Sequence, residues 1–120
     1  MKKIQPELKR IHSPDVFDLE NPGLSEDRPY RILVQAMFGP WGTEGEESFD
    51  VVVCNALWLA DQVRSGPIPG RHHLFVNRFD IGEIRAFWSQ LATECAGGTW
   101  EEVAEKLGRF GKWEFEDYKE

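Results

Sequence analysis

The sequence predicts an α+β domain in which a mainly antiparallel sheet of four to five strands carries three helices packed on one face. Two segments with strong strand patterns, residues 30–38 and 48–54, are joined by a short glycine-containing loop, which favours an antiparallel hairpin. Three later segments begin with helix-capping residues. The resulting order of elements, β, β, β, α, β, α, α, β, does not alternate as in a parallel α/β fold, and this order predicts the class.

The N-terminal half is predicted to supply three strands separated by polar segments. These strands cover residues 7–12, 30–38 and 48–54. The first alternates apolar and charged side chains weakly, whereas the other two are rich in aliphatic residues that favour strands. Residues 15–27 read as a polar loop, and the run GPWG at residues 39–42 ends the second strand because glycine and proline interrupt regular structure.

Each predicted helix begins at a side chain that can accept hydrogen bonds from the first free backbone N–H groups. The three N-caps are Asn55 for residues 56–64, Asp80 for a helix that continues to about Cys95, and Thr99 for the last helix. Asp80 with Glu83, and Thr99 with Glu102, match the capping-box spacing.

Two further strands and one apolar stripe complete the predicted elements. Residues 72–76 are predicted to form a strand between the first two helices, and residues 113–115 a final short strand. In the last helix, Trp100, Val103 and Leu107 recur at helical spacing and predict one buried face. We therefore expect the Trp100 ring to be buried.

The amino-acid composition limits the number of domains and the kinds of partner that can be expected. The 120 residues predict a single domain, residues 1–120, and 41% hydrophobic residues suffice for a core. The formal net charge of −7 disfavours nucleic acid as a direct ligand, because phosphate binding requires clusters of Lys and Arg. It favours a basic partner, although a merely solvated acidic surface is an equally weighted alternative.

The cysteines and the N-terminus predict a cytoplasmic protein. Cys54 and Cys95 lie in apolar segments, which predicts two free, buried thiols. The N-terminal run MKKIQPELKRIHS begins basic but lacks the apolar core of a signal peptide. No apolar run is long enough for a membrane span, so no membrane contact is expected.

No motif predicts catalysis, a metal, a cofactor or a small-molecule ligand. His72 and His73 are adjacent, and adjacent strand residues point to opposite faces, so they do not converge on one ion. The loop GPWGTEG at residues 39–45 lacks the lysine of a phosphate-binding loop. An enzyme would require His12, His72 or His73 to meet Cys54 or a carboxylate in a cleft, and it is the least favoured alternative.

Three stretches resemble one family when taken in order. They are TWEEVAEKLGRFGKWEFEDY at residues 99–118, GEESFDVVVCNALWL at residues 45–59 and GRHHLFVNRFDIGEI at residues 70–84. Together they resemble the immunity protein 8 family of bacterial polymorphic toxin and contact-dependent inhibition systems, over residues 7 to the C-terminus. The resemblance implies an α+β domain, encoded beside a toxin gene, that binds and blocks that toxin without catalytic residues.

Acidic residues concentrate in three groups, at residues 15–27, 44–50 and 114–120. The second and third groups, with the exposed aromatic residue predicted between two strands, are the candidate toxin-binding residues: Trp41, Glu44, Glu46, Glu47, Asp50, Glu114, Glu116 and Asp117. A basic toxin, expected to be a nuclease, is the partner that such a surface complements. The principal alternative is an acidic chaperone-like or regulatory binding module.

Overall fold

The structure is a computed structural model that describes residues 2–117. Its elements are β1 (Pro6–His12), β2 (Arg31–Pro40), β3 (Glu47–Cys54), α1 (Ala56–Val63), β4 (His73–Phe75), α2 (Ile81–Ala92), α3 (Trp100–Leu107) and β5 (Lys112–Trp113). The predicted order of elements and the α+β class are confirmed. No helix within the described range is long and apolar enough to cross a bilayer.

The sheet is mainly antiparallel. Its order is β1-β2-β3-β4, and β5 pairs separately with β3. The hairpin of β2 and β3 runs in continuous register from Arg31 opposite Cys54 to Phe38 opposite Glu47. Only β4 lies parallel to its neighbour. The reason is that α1 intervenes between β3 and β4 and returns the chain to the same end of the sheet, as a parallel pair requires.

One face of the sheet forms the core with α2 and α3. Alternate residues of β2 and β3, such as Val34 and Val53, are fully buried on this face, as the two-residue period of a strand dictates. Helix α2 contributes Trp88, which is 3% exposed, while the adjacent Phe87 lies on the solvent side. Helix α3 contributes Val103, Ala104 and Leu107.

The prediction that Trp100 is buried is wrong. Its ring is half-buried and packs against the edge of the core. Trp100 is the first residue of α3, so the helix turn that would enclose it on the N-terminal side is absent. Its position at the end of the apolar stripe, not its spacing, decides its exposure.

Helix α1 is placed differently from α2 and α3. None of its residues is buried, although most are apolar. The Trp58 ring lies 6.0 Å from the His73 ring, and the Arg31 guanidinium lies 5.9 Å from the Trp58 centroid. Arg31 pairs with Cys54, one residue beyond the core position Val53, and so belongs to the opposite face of the sheet. Helix α1 therefore borders that face.

All three predicted N-caps are confirmed. The Asn55 side chain accepts from the Trp58 N–H, Asp80 accepts from the N–H groups of Gly82 and Glu83, and Thr99 accepts from the Glu102 N–H. Both cysteines are free and buried, as predicted. Removal from water raises the pKa of each thiol, because burial disfavours the thiolate.

Candidate functional site

Pairing of β5 with β3 brings the second and third acidic groups together. Phe49 lies opposite Trp113 in this pairing. The Ser48 N–H donates to Oε1 of Glu114 over 2.8 Å, and the Glu114 N–H donates to the Ser48 carbonyl over 3.0 Å. Segments 66 residues apart in sequence are thus hydrogen-bonded neighbours. We call the carboxylates of these two neighbouring segments the acidic corner, consisting of Glu44, Glu46, Glu47, Asp50, Glu114, Glu116 and Asp117.

Glu47 has an internal role in this corner. Its Oε1 accepts from Nε1 of Trp100 over 2.6 Å and from Nε1 of Trp113 over 2.9 Å. Glu47 lies opposite Phe38 and so points to the helix-covered face. The half-buried Glu47 carboxylate therefore links β3, α3 and β5. Without it, the indole N–H groups of Trp100 and Trp113 would lack their acceptor.

Three other carboxylates of the acidic corner also have partners. Glu46 forms an ion pair with Arg10 of β1. Asp50 accepts from Nε2 of Gln35 over 3.1 Å. Glu116 lies 3.2 Å from Nη2 of Arg71. These contacts hold the carboxylates in place, but exposed ion pairs add little to stability, typically 0–1 kcal/mol.

Trp41, Glu44 and Asp117 remain most available to a partner. Trp41 is 66% exposed, while its backbone N–H donates to the Gln5 carbonyl over 2.8 Å and fixes the start of the loop. Its ring borders a groove of about 610 Å³ between β1 and the C-terminal end of α2. Glu44 and Asp117 are both exposed, and Asp117 has a positive φ of 61°.

The hairpin loop beside Trp41 depends on one glycine. A Cβ at Gly39 would lie 2.0 Å from the carbonyl oxygen of Gly45. The two backbone segments can therefore approach each other only without a side chain at this position. This close approach brings the loop that carries Glu44 back toward β2.

The first acidic group lies elsewhere. Asp15 accepts from the Leu33 N–H over 2.7 Å, near the end of β2 that is distant from the Trp41 loop. The three acidic groups therefore do not form one continuous surface. Residues 118–120, which include Glu120 of the third group, lie outside the described residues.

The histidines do not assemble with a cysteine. Nε2 of His72 lies 2.7 Å from the Gly108 carbonyl oxygen, whereas the His73 ring stacks on Phe75 with centroids 5.9 Å apart. Cys54 is inaccessible, with 0% exposure. Among residues 2–117 no three His, Cys, Asp or Glu side chains are grouped so as to hold a metal ion. His72 and Glu116, 3.9 Å apart, are too distant for a hydrogen bond.

Sequence reasoning missed the side of the sheet that α2 and α3 leave uncovered. It carries half-buried Leu33, Met37 and Val52. A signal was present, because the run YRILVQAMF at residues 30–38 is apolar at both odd and even positions. Such a pattern indicates a strand with little polar surface on either face.

An acidic α+β domain with an exposed aromatic loop has the features of a small protein-binding domain. The chain belongs to the immunity protein 8 family, whose model matches residues 6–118. Membership in this family implies a cognate toxin as the partner. No curated protein and no solved structure matches the chain.

Proposed function

We propose that this protein neutralises its cognate toxin, a basic nuclease, by forming a stoichiometric complex in the cytoplasm. The observation that carries the proposal is the pairing of β3 with β5, which gathers two separate acidic segments at one corner. Carboxylates presented there compete with the phosphates that a nuclease must bind through Lys and Arg. The free thiols of Cys54 and Cys95 fit a reducing compartment.

Inhibition by this route requires no chemistry from the inhibitor. The acidic corner accelerates the encounter with a basic surface, and the exposed Trp41 ring, on the hairpin loop that also carries Glu44, supplies an apolar contact of the type that dominates binding energy. A stable complex of this kind buries roughly 1,200–2,000 Å² in total. Coverage of that size occludes the toxin's substrate site.

The test is co-expression of this chain with the toxin domain encoded beside it. Purification should yield a 1:1 complex, and titration of the chain into free toxin should abolish cleavage of plasmid DNA or of RNA at one equivalent. A complex that leaves toxin activity intact would support the chaperone-like alternative. Failure to form any complex would refute the proposal.

A further inference from the structure

The face of the sheet opposite the core is not covered by α2 or α3. Its side chains follow from the register: Leu33 lies opposite Val52, Gln35 opposite Asp50, and Met37 opposite Ser48. We call this side the open face. Its central apolar residues are only half-buried, while α2 and α3 pack on the other side of the sheet.

An aromatic stack lies at one end of the open face. His73 is in register with Val52, and Phe75 with Cys54, so both rings project from the open side of β4. The His73 and Phe75 rings are nearly parallel, with an interplanar angle of 10°, and the Trp58 ring centroid lies 6.0 Å from that of His73. Phe75 is 50% exposed.

The opposite end of the open face reaches Asp50 of the acidic corner, whereas Glu116 and Asp117 line a groove on the α3 side of the sheet. Asp50 lies on this face, next to Lys112 of β5 in register. Two of the cations on the face are engaged within the chain, because Arg10 pairs with Glu46 and Arg31 lies over Trp58. Lys112 is a third cation at this end, and the negative charge comes from Asp50 and from the exposed Glu44 of the adjoining hairpin loop.

We propose that the open face is the docking surface for the toxin, with the aromatic stack as its apolar anchor and Asp50, Glu44 and Glu46 as its charged rim. This inference rests on the proposed function and names the surface through which it acts. Aromatic anchors combined with charged residues at the periphery are the usual anatomy of a protein interface.

Charge and size together favour the toxin as occupant. The strands measure roughly 25 Å by 20 Å as a sheet, on the order of 500 Å², which with the adjoining hairpin loop approaches the ~800 Å² that one partner buries in a standard interface. A second copy of this chain would bring another charge of −7 against the same carboxylates. Like charges at an interface oppose association, whereas a basic toxin neutralises them.

Hydroxyl-radical footprinting of the wild-type complex tests the surface without any mutation. The probe is the toxin domain encoded beside this gene. We expect oxidation of Met37, Trp58, His73 and Phe75 to slow at least threefold on binding. Phe17 and Phe110, which are 107% and 41% exposed away from the open face, should react at unchanged rates. Unchanged oxidation at the four open-face residues would overturn the inference.

A matched pair of lysine substitutions supplies the second test. Phe75→Lys should weaken toxin binding at least tenfold, because it removes a ring and adds a charge that repels a basic partner. Phe110→Lys, a similar change on the helix side, should leave the affinity within twofold. Equal affinities of Phe75→Lys and the wild type would refute the docking surface while leaving the proposed function intact.

Two further outcomes would also refute the docking surface, and the first would refute the proposed function as well. If the wild-type chain does not bind the toxin, the proposed function fails and the docking surface fails with it. If light scattering shows a dimer of the free chain that Phe75→Lys converts to a monomer, the occupant of the open face is a second copy and the inference is wrong.

Discussion

The carboxylate of Glu47 accepts a hydrogen bond from the indole of Trp100 over 2.6 Å, across 53 residues of sequence. The same oxygen accepts from Trp113. A residue predicted to face the toxin thus joins two aromatic side chains to the edge strand. The acidic corner depends on this contact, because Trp113 precedes Glu114 and Glu116.

Replacement of Glu47 should destabilise the fold. Glu47→Ala leaves two indole N–H groups without their acceptor, and hydrogen bonds to charged groups contribute about 1.5–3 kcal/mol each. Since the site is only half-buried, we expect a total loss of about 2–3 kcal/mol in urea unfolding. Glu44→Ala, an exposed loop residue, should change the stability by less than about 0.5 kcal/mol. Equal effects of the two would refute the structural role of Glu47.

Trp100 should contribute less than a fully buried tryptophan. Trp→Ala in a core costs about 3–5 kcal/mol, so the half-buried Trp100→Ala should cost roughly 2 kcal/mol. Trp100→Phe keeps most of the ring but not the indole N–H, so the stability difference between the wild type and Trp100→Phe approximates the hydrogen bond to Glu47. A loss above about 4 kcal/mol for Trp100→Ala would mean that the ring is more enclosed than the structure shows.

Charge reversal at the hairpin should slow toxin association. The double variant Glu44→Lys/Glu46→Lys should reduce the association rate about tenfold at low salt, and less at high salt because screening shortens the range of attraction. The variant Asp18→Lys/Glu20→Lys carries the same change in net charge in the first acidic group and is the control. Stopped-flow kinetics across a salt series measures both. Identical rates for the two variants would show that net charge, not the acidic corner, governs association.

Alkaline pH should reduce stability through the two cysteines. Burial raises the pKa of Cys54 and of Cys95 in the folded chain, so the unfolded chain releases these protons first as pH rises. Their contribution is fully present below the unfolded thiol pKa of about 8.5 and is lost as pH increases above it. Urea unfolding between pH 7 and 10 should show this decline, and a Cys54→Ala/Cys95→Ala variant should show a shallower one. If the stability of the wild type and of the variant declines equally with pH, the two cysteines are not the cause of the decline.

The local elements could be predicted from the sequence because short-range interactions specify them. The side chains of Asn55, Asp80 and Thr99 accept hydrogen bonds from backbone N–H groups two or three residues later in the sequence. The helix starts can therefore be predicted without knowledge of the tertiary structure. The β2–β3 hairpin likewise follows from adjacent strands and a short loop. The same reasoning could not place Phe87 and Trp88, because both fit a helical period and only the packed sheet selects Trp88.

The composition of the candidate site was decided by tertiary structure. Pairing of β5 with β3 joins residues more than 60 positions apart, and no local signal specifies which edge a two-residue strand will choose. The β2–β3 register directs Glu47 to the helix-covered face, where packing of α3 and β5 brings the indoles of Trp100 and Trp113 to its carboxylate. The sequence by itself determined the elements, the family resemblance and the excess of negative charge. Only long-range packing decided which carboxylates support the fold and which face a partner, because a side chain's exposure depends on neighbours that are distant in the chain.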